Sequence, residues 1–119
     1  MGYRCLITHS EKIMIINLND ENFDQTTASG ITLVDFYADW CQPCKRMLPK
    51  VESVAVKLEG KITVAKVNVD ESRSTAAKFS IRSIPTFALI KDGRVISVSA
   101  GSKSEQDLLL FAESHNRGA

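Results

Sequence analysis

The stretch ADWCQPCKR, residues 38–46, places two cysteines two residues apart, directly behind the single tryptophan of the chain. Residues i and i+3 of a helix share a face, with Cβ atoms about 5–6 Å apart, and a disulfide needs Cα atoms within about 4.4–6.8 Å. One backbone can therefore hold Cys41 and Cys44 as a dithiol or as a disulfide. A redox couple, half of a metal site and a structural pair all remain open at this point.

The flanking residues predict a strand that leads into the cysteines and a helix that follows them. ITLVDFYA, residues 31–38, is apolar except for Asp35 and suits a strand buried on both faces of a sheet. Behind the cysteines, apolar residues recur at helical spacing up to Gly60. Proline is tolerated in a first turn, so Pro43 fits there and stiffens the loop.

This arrangement makes the two sulfurs unequal. Cys41 falls at the helix N-terminus, where unpaired N–H groups and the helix dipole favour an anion and lower the pKa of a thiol. Cys44 falls one turn deeper. We therefore predict that Cys41 is the accessible attacking nucleophile and that Cys44 is the shielded resolving cysteine.

The rest of the chain predicts the order β-α-β-α-β-α-β-β-α, an α/β domain with a mixed sheet. Asn19 or Asp20 is the predicted cap of the first helix, and Asp92-Gly93 predicts a hairpin. Ser102-x-x-Glu105 fits a capping box for the last helix. The predicted inner face of that helix consists of Leu108, Phe111, Ala112 and His115. We assign residues 1–12 to an N-terminal tail and residues 13–119 to one domain.

Composition narrows the function further. The 119 residues are 44% apolar and 24% charged, as in an ordinary soluble domain. A net charge of +1 offers no basic field for nucleic acid or anionic membrane, and no apolar run approaches the roughly 18 residues of a membrane span. We predict a cytoplasmic protein that binds neither nucleic acid nor membrane.

A zinc site has few further ligands to draw on. Beyond the close pair, only Cys5, His9 and His115 remain, and they are scattered in or near the termini. Three cysteines are also too few for a disulfide framework. We therefore predict no metal and favour the redox interpretation of the pair.

Four stretches together resemble the thioredoxin family over roughly residues 12–116. They are VDFYADWCQPCK (34–45), VAKVNVD (64–70), IRSIPTFALIKDG (81–93) and the last capped helix. The resemblance implies a thioredoxin fold, a central mixed β-sheet flanked by helices on both faces. It also implies protein-disulfide reductase activity that contributes to cell redox homeostasis. It implies no bound cofactor, electrons from NADPH through a flavin-dependent thioredoxin reductase, disulfide-containing substrate proteins and a monomer.

The resemblance further implies roles for the residues near the pair. Cys41 and Cys44 match the redox disulfide, and Asp35 matches the carboxylate buried beneath it. An aspartate in an apolar strand is costly to ionise, so its pKa should rise toward neutrality and it can exchange protons with Cys44. Lys66 matches the neighbouring lysine, and a lysine on the adjacent strand would limit that rise. The alternatives without a catalytic role are a core carboxylate for Asp35 and a lysine that reaches solvent for Lys66.

The predicted substrate side matches in the same way. Trp40 corresponds to the aromatic platform, Pro85 to a cis-proline that faces the pair, and Ile84 to the donor of backbone hydrogen bonds to the substrate. Ser99 replaces a glycine that lines the substrate groove. Trp40 as a packing residue and Pro85 as an ordinary strand-entry proline are the alternatives.

The chain departs from the family pattern beside the attacking sulfur. Gln42 stands where the family usually has glycine, which puts the redox potential and the choice of partner in question. Two rival functions stay open beside the reductase: an oxidant or isomerase on the same fold, and a redox-independent module that docks a protein around Trp40 and Pro85.

Overall fold

The computed structural model describes residues 15–116, and in this part of the chain strands and helices alternate as predicted. The elements are β1 (Ile15–Leu18), α1 (Phe23–Thr27), β2 (Ile31–Tyr37), α2 (Gln42–Lys57), β3 (Thr63–Asn68), α3 (Arg73–Lys78), β4 (Thr86–Lys91), β5 (Arg94–Ala100) and α4 (Glu105–Glu113), followed by a 3₁₀ turn (Ser114–Asn116). The proposed tail, with Cys5 and His9, lies outside the described residues.

The sheet is mixed, as predicted, with the order β1-β3-β2-β4-β5. β2 lies at its centre, parallel to β3 on one side and antiparallel to β4 on the other. β5 forms an antiparallel edge after the hairpin at Asp92-Gly93, where both residues have positive φ as a tight hairpin turn requires.

The alternation of β2 separates two apolar cores. Leu33 packs against α2 and α4 on one face, whereas Val34 and Phe36 pack against α1 and the end of α3 on the other. The five central residues of β2 are all buried, which confirms the predicted strand with two covered faces. Asp35 lies on the face that α2 covers, because side chains two residues apart point the same way.

The predicted cap of α1 is wrong. The helix begins after Asn22, and the Asn19 Oδ1 accepts the backbone N–H groups of Glu21 and Asn22 in the turn before it. Asp20 instead reaches α3, where its Oδ1 accepts the Thr75 N–H at 2.8 Å and the Thr75 hydroxyl at 2.7 Å. These bonds lower the pKa of Asp20. A contact over 55 residues cannot be recognised from the local sequence.

The predicted capping box of α4 is also wrong, by two residues. Ser104 is the N-cap, and its Oγ accepts the Asp107 N–H at 3.0 Å. Glu105 does not close a box with Ser102, because its carboxylate accepts hydrogen bonds from α2, at 2.7 Å from the Ser53 hydroxyl and 2.5 Å from the Lys57 ammonium.

Replacing the observed cap tests this correction. We expect Ser104→Ala to lower the free energy of unfolding by about 1 kcal/mol, because a helix N–H loses its acceptor. Ser102→Ala, an exposed change two residues earlier, should stay within about 0.5 kcal/mol of the parent protein. Urea denaturation of the two variants measures the difference, and the opposite ranking would restore the predicted box.

Candidate active site

The two cysteines lie where β2 passes into α2. Cys41 is the N-cap residue of α2 and forms a disulfide with Cys44 in the first turn, with 5.3 Å between their Cα atoms. Gln42 and Pro43 are the first two helical residues. The missing N–H of Pro43 removes no bond there, since the first N–H groups of a helix have no partner within it.

The environment of Cys41 favours negative charge on its sulfur. The Cys44 backbone N–H donates to Cys41 Sγ at 3.2 Å. The 16 residues of α2 also direct the positive end of the helix dipole at this position. Both effects stabilise a thiolate at Cys41 once the disulfide is reduced.

Exposure does not distinguish the two cysteines in this oxidised form. Cys41 is 3% exposed and Cys44 is 5% exposed, so the prediction of an accessible Cys41 is wrong for the disulfide state. Ala38 and the half-buried Ile84 pack around both. The asymmetry of the pair therefore lies in the hydrogen bond and the dipole at Cys41.

Asp35 lies beneath the helix start and shares a cavity with Cys44. The cavity has a volume of about 330 Å³, and its lining includes Tyr37 and Lys66. Asp35 is 3% exposed, and its Oδ1 has no hydrogen-bond partner among residues 15–116. Burial raises the pKa of Asp35 from 3.8 to about 7, although the charge of Lys66 opposes the rise. The structure thus places a carboxyl with a pKa near neutrality in a cavity that Cys44 also lines.

Lys66 lies directly across from Asp35 in the parallel pairing of β2 and β3. The side chain is half-buried, and its Nζ lies 5.3 Å from the centroid of the Tyr37 ring. Within the described part of the chain, Lys66 and Asp35 form no ion pair as close as 4 Å. The lysine therefore acts on the carboxyl across the cavity and not through direct contact.

A shallow groove lies beside the pair. It has a volume of about 130 Å³, and Trp40, Val69, Ile81, Arg82, Ser83 and Ile84 line it. Trp40 is 66% exposed, and its Nε1–H donates to the Asp70 carboxylate at 2.8 Å. The peptide bond between Ile84 and Pro85 is cis, and the Ile84 carbonyl oxygen lies 3.8 Å from Cys41 Sγ. Trp40 and the cis Ile84–Pro85 bond thus lie beside Cys41.

Ser99 does not lie in this group. It pairs with Phe87 on the β5 edge and lines a separate cavity with Ser102 and Lys103. Gly101 lies beside Pro85 instead: its N–H donates to the Pro85 carbonyl at 2.8 Å, with φ at +100°. The glycine that faces the cis-proline is therefore present in the chain, two residues after the position at which the sequence predicts its replacement.

Among residues 15–116, no three His, Cys, Asp or Glu side chains are close enough together to hold a metal ion. None of the described helices has the length and apolar character needed to cross a membrane.

Comparisons of the sequence with known proteins all point to one family. The family model described as Thioredoxin matches residues 14–114. The thioredoxin of Staphylococcus saprophyticus is 43% identical over 101 residues, which cover 85% of this chain and 97% of that protein. The thioredoxins of Staphylococcus haemolyticus and Staphylococcus aureus are 42% and 41% identical over the same coverage.

A mixed five-stranded sheet with a Cys-x-x-Cys disulfide at the start of a helix defines a thiol–disulfide oxidoreductase. The chain belongs to the thioredoxin family. Proteins of this family need no bound cofactor for the exchange, and they act on disulfides of other proteins.

Sequence reasoning assigned no site role to three neighbours of the pair: Tyr37, Asp70 and Gly101. Tyr37 has a signal in the sequence, because it follows Asp35 by two residues in a strand and must share its face. Asp70 and Gly101 have no comparable signal, since a hydrogen bond across 30 residues and a strand register place them.

Proposed function

We propose that this protein reduces disulfides of other proteins, with Cys41 as nucleophile and Cys44 as resolving cysteine. The observation that carries the assignment is the position of Cys41 as the N-cap of α2, with the Cys44 N–H directed at its sulfur. Only one of the two sulfurs receives this stabilisation, and the thiolate is the form that attacks.

The exchange consists of two successive nucleophilic displacements. Cys41 thiolate attacks one sulfur of a substrate disulfide, so that a bond from Cys41 to this sulfur forms and the other substrate sulfur leaves as a thiolate. Cys44 then attacks Cys41, closes the disulfide described above and releases the second substrate sulfur. The substrate gains two electrons, and the cysteine pair loses two.

Asp35 takes part in the second displacement. Cys44 must lose its proton to attack, and the shared cavity gives Asp35 access to it, directly or through one water. A carboxyl with a pKa of about 7 is divided between acid and base near neutral pH. Lys66 supports this role because its charge favours the carboxylate.

The groove supplies the docking surface. Trp40 offers an exposed ring, and Ile84 presents its backbone next to Cys41 and the cis Pro85. An extended substrate segment can lie here with its disulfide at Cys41 while its backbone pairs with Ile84.

The proposal also covers the electron donor, the oligomeric state and the location of the protein. A thioredoxin reductase that carries flavin returns two electrons from NADPH to the pair, and the protein works as a monomer in the cytoplasm. Disulfide-containing proteins and this reductase are the proposed partners.

Insulin reduction tests the activity. With dithiothreitol as electron donor, we expect the protein to accelerate the precipitation of insulin chains, measured as turbidity. Turbidity at the rate of dithiothreitol alone would contradict the proposal. The double variant Cys41→Ser/Cys44→Ser is the matched control, and a partner that it still binds would support the docking-module alternative.

The reduction potential separates a reductase from an oxidant or isomerase. Equilibration with glutathione should give a potential well below that of glutathione, so that the pair is a net donor. Gln42 is exposed at the first helical position, and Gln42→Gly tests whether it tunes the pair. A change in the reduction potential of more than about 30 mV, equal to about 1.4 kcal/mol for two electrons, would make Gln42 a residue that tunes this potential.

A further inference from the structure

Tyr37 lines the cavity of Asp35 and Cys44, yet no step proposed above uses it. Strand geometry places it there: residues two apart in β2 share a face, and β3 sets Lys66 directly across from Asp35. Tyr37, Asp35 and Lys66 therefore occupy neighbouring positions on one face of the sheet.

The Tyr37 ring is the contact that the structure gives to the Lys66 ammonium. The Nζ lies 5.3 Å from the ring centroid, within the roughly 6 Å over which an aromatic face attracts a cation. Within residues 15–116, Lys66 takes part in no ion pair. A lysine without such a contact extends its ammonium into water.

Other charged or titratable groups face the same space. Asp39, Lys45 and Cys44 line the cavity from the loop before α2 and from its first turn, and Glu71 acts on Tyr37 from the loop after β3. Burial, and next the charge of Asp39, raise the pKa of Tyr37. The ring therefore stays neutral and continues to attract a cation throughout the range in which Asp35 titrates.

We propose that Tyr37 is a positioning residue whose ring holds the Lys66 ammonium in the cavity shared by Asp35 and Cys44. Held there, the ammonium favours the Asp35 carboxylate, the form that accepts the Cys44 proton. Released into water, the same charge would act on Asp35 through a medium of higher dielectric constant and would lose most of its effect. The inference rests on the proton role proposed for Asp35 and extends it to the next residue.

The titration of Asp35 tests the inference without any assay of activity. We would label the oxidised protein with ¹³C at the aspartate carboxyl, assign the Asp35 signal with Asp35→Asn, and follow it against pH. Tyr37→Leu removes the ring, but it also admits water to Asp35, which by itself lowers the pKa. The same substitution in a Lys66→Met background measures that second effect alone.

We expect Tyr37→Leu to displace the Asp35 midpoint upward by about half a pH unit more in the parent background than in Lys66→Met. Tyr37→Phe, which keeps the ring, should show no such difference. Equal displacement in both backgrounds, or a more downward one in the presence of Lys66, would overturn the inference. Tyr37→Met provides the same comparison if Tyr37→Leu does not fold.

The unaltered protein provides a second test. A ring held over the ammonium should displace the Lys66 ε-CH₂ proton signals upfield, and signals at the positions of an exposed lysine would overturn the inference. Failure of the proton role itself would be seen elsewhere, as an Asp35→Asn variant that resolves mixed disulfides at the parent rate.

Discussion

Cys44→Ser should convert the protein into a trap that holds its substrates as stable mixed disulfides. Cys41 keeps the N-cap position, the helix dipole and a backbone N–H directed at its sulfur, so attack continues. Resolution stops because a serine hydroxyl cannot displace a thiolate from Cys41 under these conditions. Non-reducing electrophoresis, with and without dithiothreitol, should show adducts that disappear on reduction.

Cys41→Ser is the matched variant, and it should form no adducts and reduce no insulin. Cys44 retains a thiol, but it lies in the first turn and beside a carboxyl whose charge disfavours a thiolate. Both variants are best made with Cys5→Ser, so that each carries a single cysteine. Equal trapping by the two variants would refute the proposed division of labour.

Asp35→Asn should remove a loss of stability that the oxidised parent protein undergoes as the pH rises. The folded pKa of Asp35 is raised from 3.8 to about 7, so the unfolded chain releases this proton at a lower pH than the folded chain does. Stability is therefore lost as pH rises from about 4 to above 7. The full loss is on the order of 4 kcal/mol, of which roughly 2–3 kcal/mol falls between pH 5 and 8.

Urea denaturation of parent and variant at pH 5 and pH 8 measures this loss as a change in their difference. The oxidised form is required because Cys41 and Cys44 do not titrate while they are joined in the disulfide. Asp20 and Glu105 have lowered pKa values and contribute with the opposite sign, but only in acid. Lys66→Met should steepen the dependence, since its charge opposes the raised pKa. If the free energy of unfolding had the same pH dependence in the parent and in Asp35→Asn, the raised pKa of Asp35 would be contradicted.

The centre of this fold follows from local pattern. An apolar run with one aspartate, a proline-stiffened Cys-x-x-Cys and a helical repeat of apolar residues predict β2, the pair and α2, because each signal depends on neighbours in sequence. The predicted position of Cys41 at the start of α2 is confirmed by the structure. The pKa shift of Asp35 also has the predicted direction, since burial dominates over one lysine.

The periphery of the site depends on tertiary pairing and could not be predicted in the same way. Two overlapping motifs, Ser102-x-x-Glu105 and Ser104-x-x-Asp107, precede α4, and Ser104 is the observed cap. Glu105 is bonded to α2 and so does not pair with Ser102. A shift of register between Leu89 and Ile90 changes which β5 residues oppose β4, and the observed pairing sets Ser99 opposite Phe87 and leaves Gly101 beside Pro85. Asp20 serves α3 and not its own helix for the same reason.

The position of Trp40 has a practical consequence for spectroscopy. The chain contains one tryptophan, and it adjoins Cys41 with its indole anchored to Asp70. Intrinsic emission excited at the red edge of protein absorption thus has one source, Trp40, and we expect this emission to change when the neighbouring disulfide opens or closes. Tryptophan fluorescence should therefore report the redox state of the cysteine pair, so that the exchange can be followed in real time without an added dye.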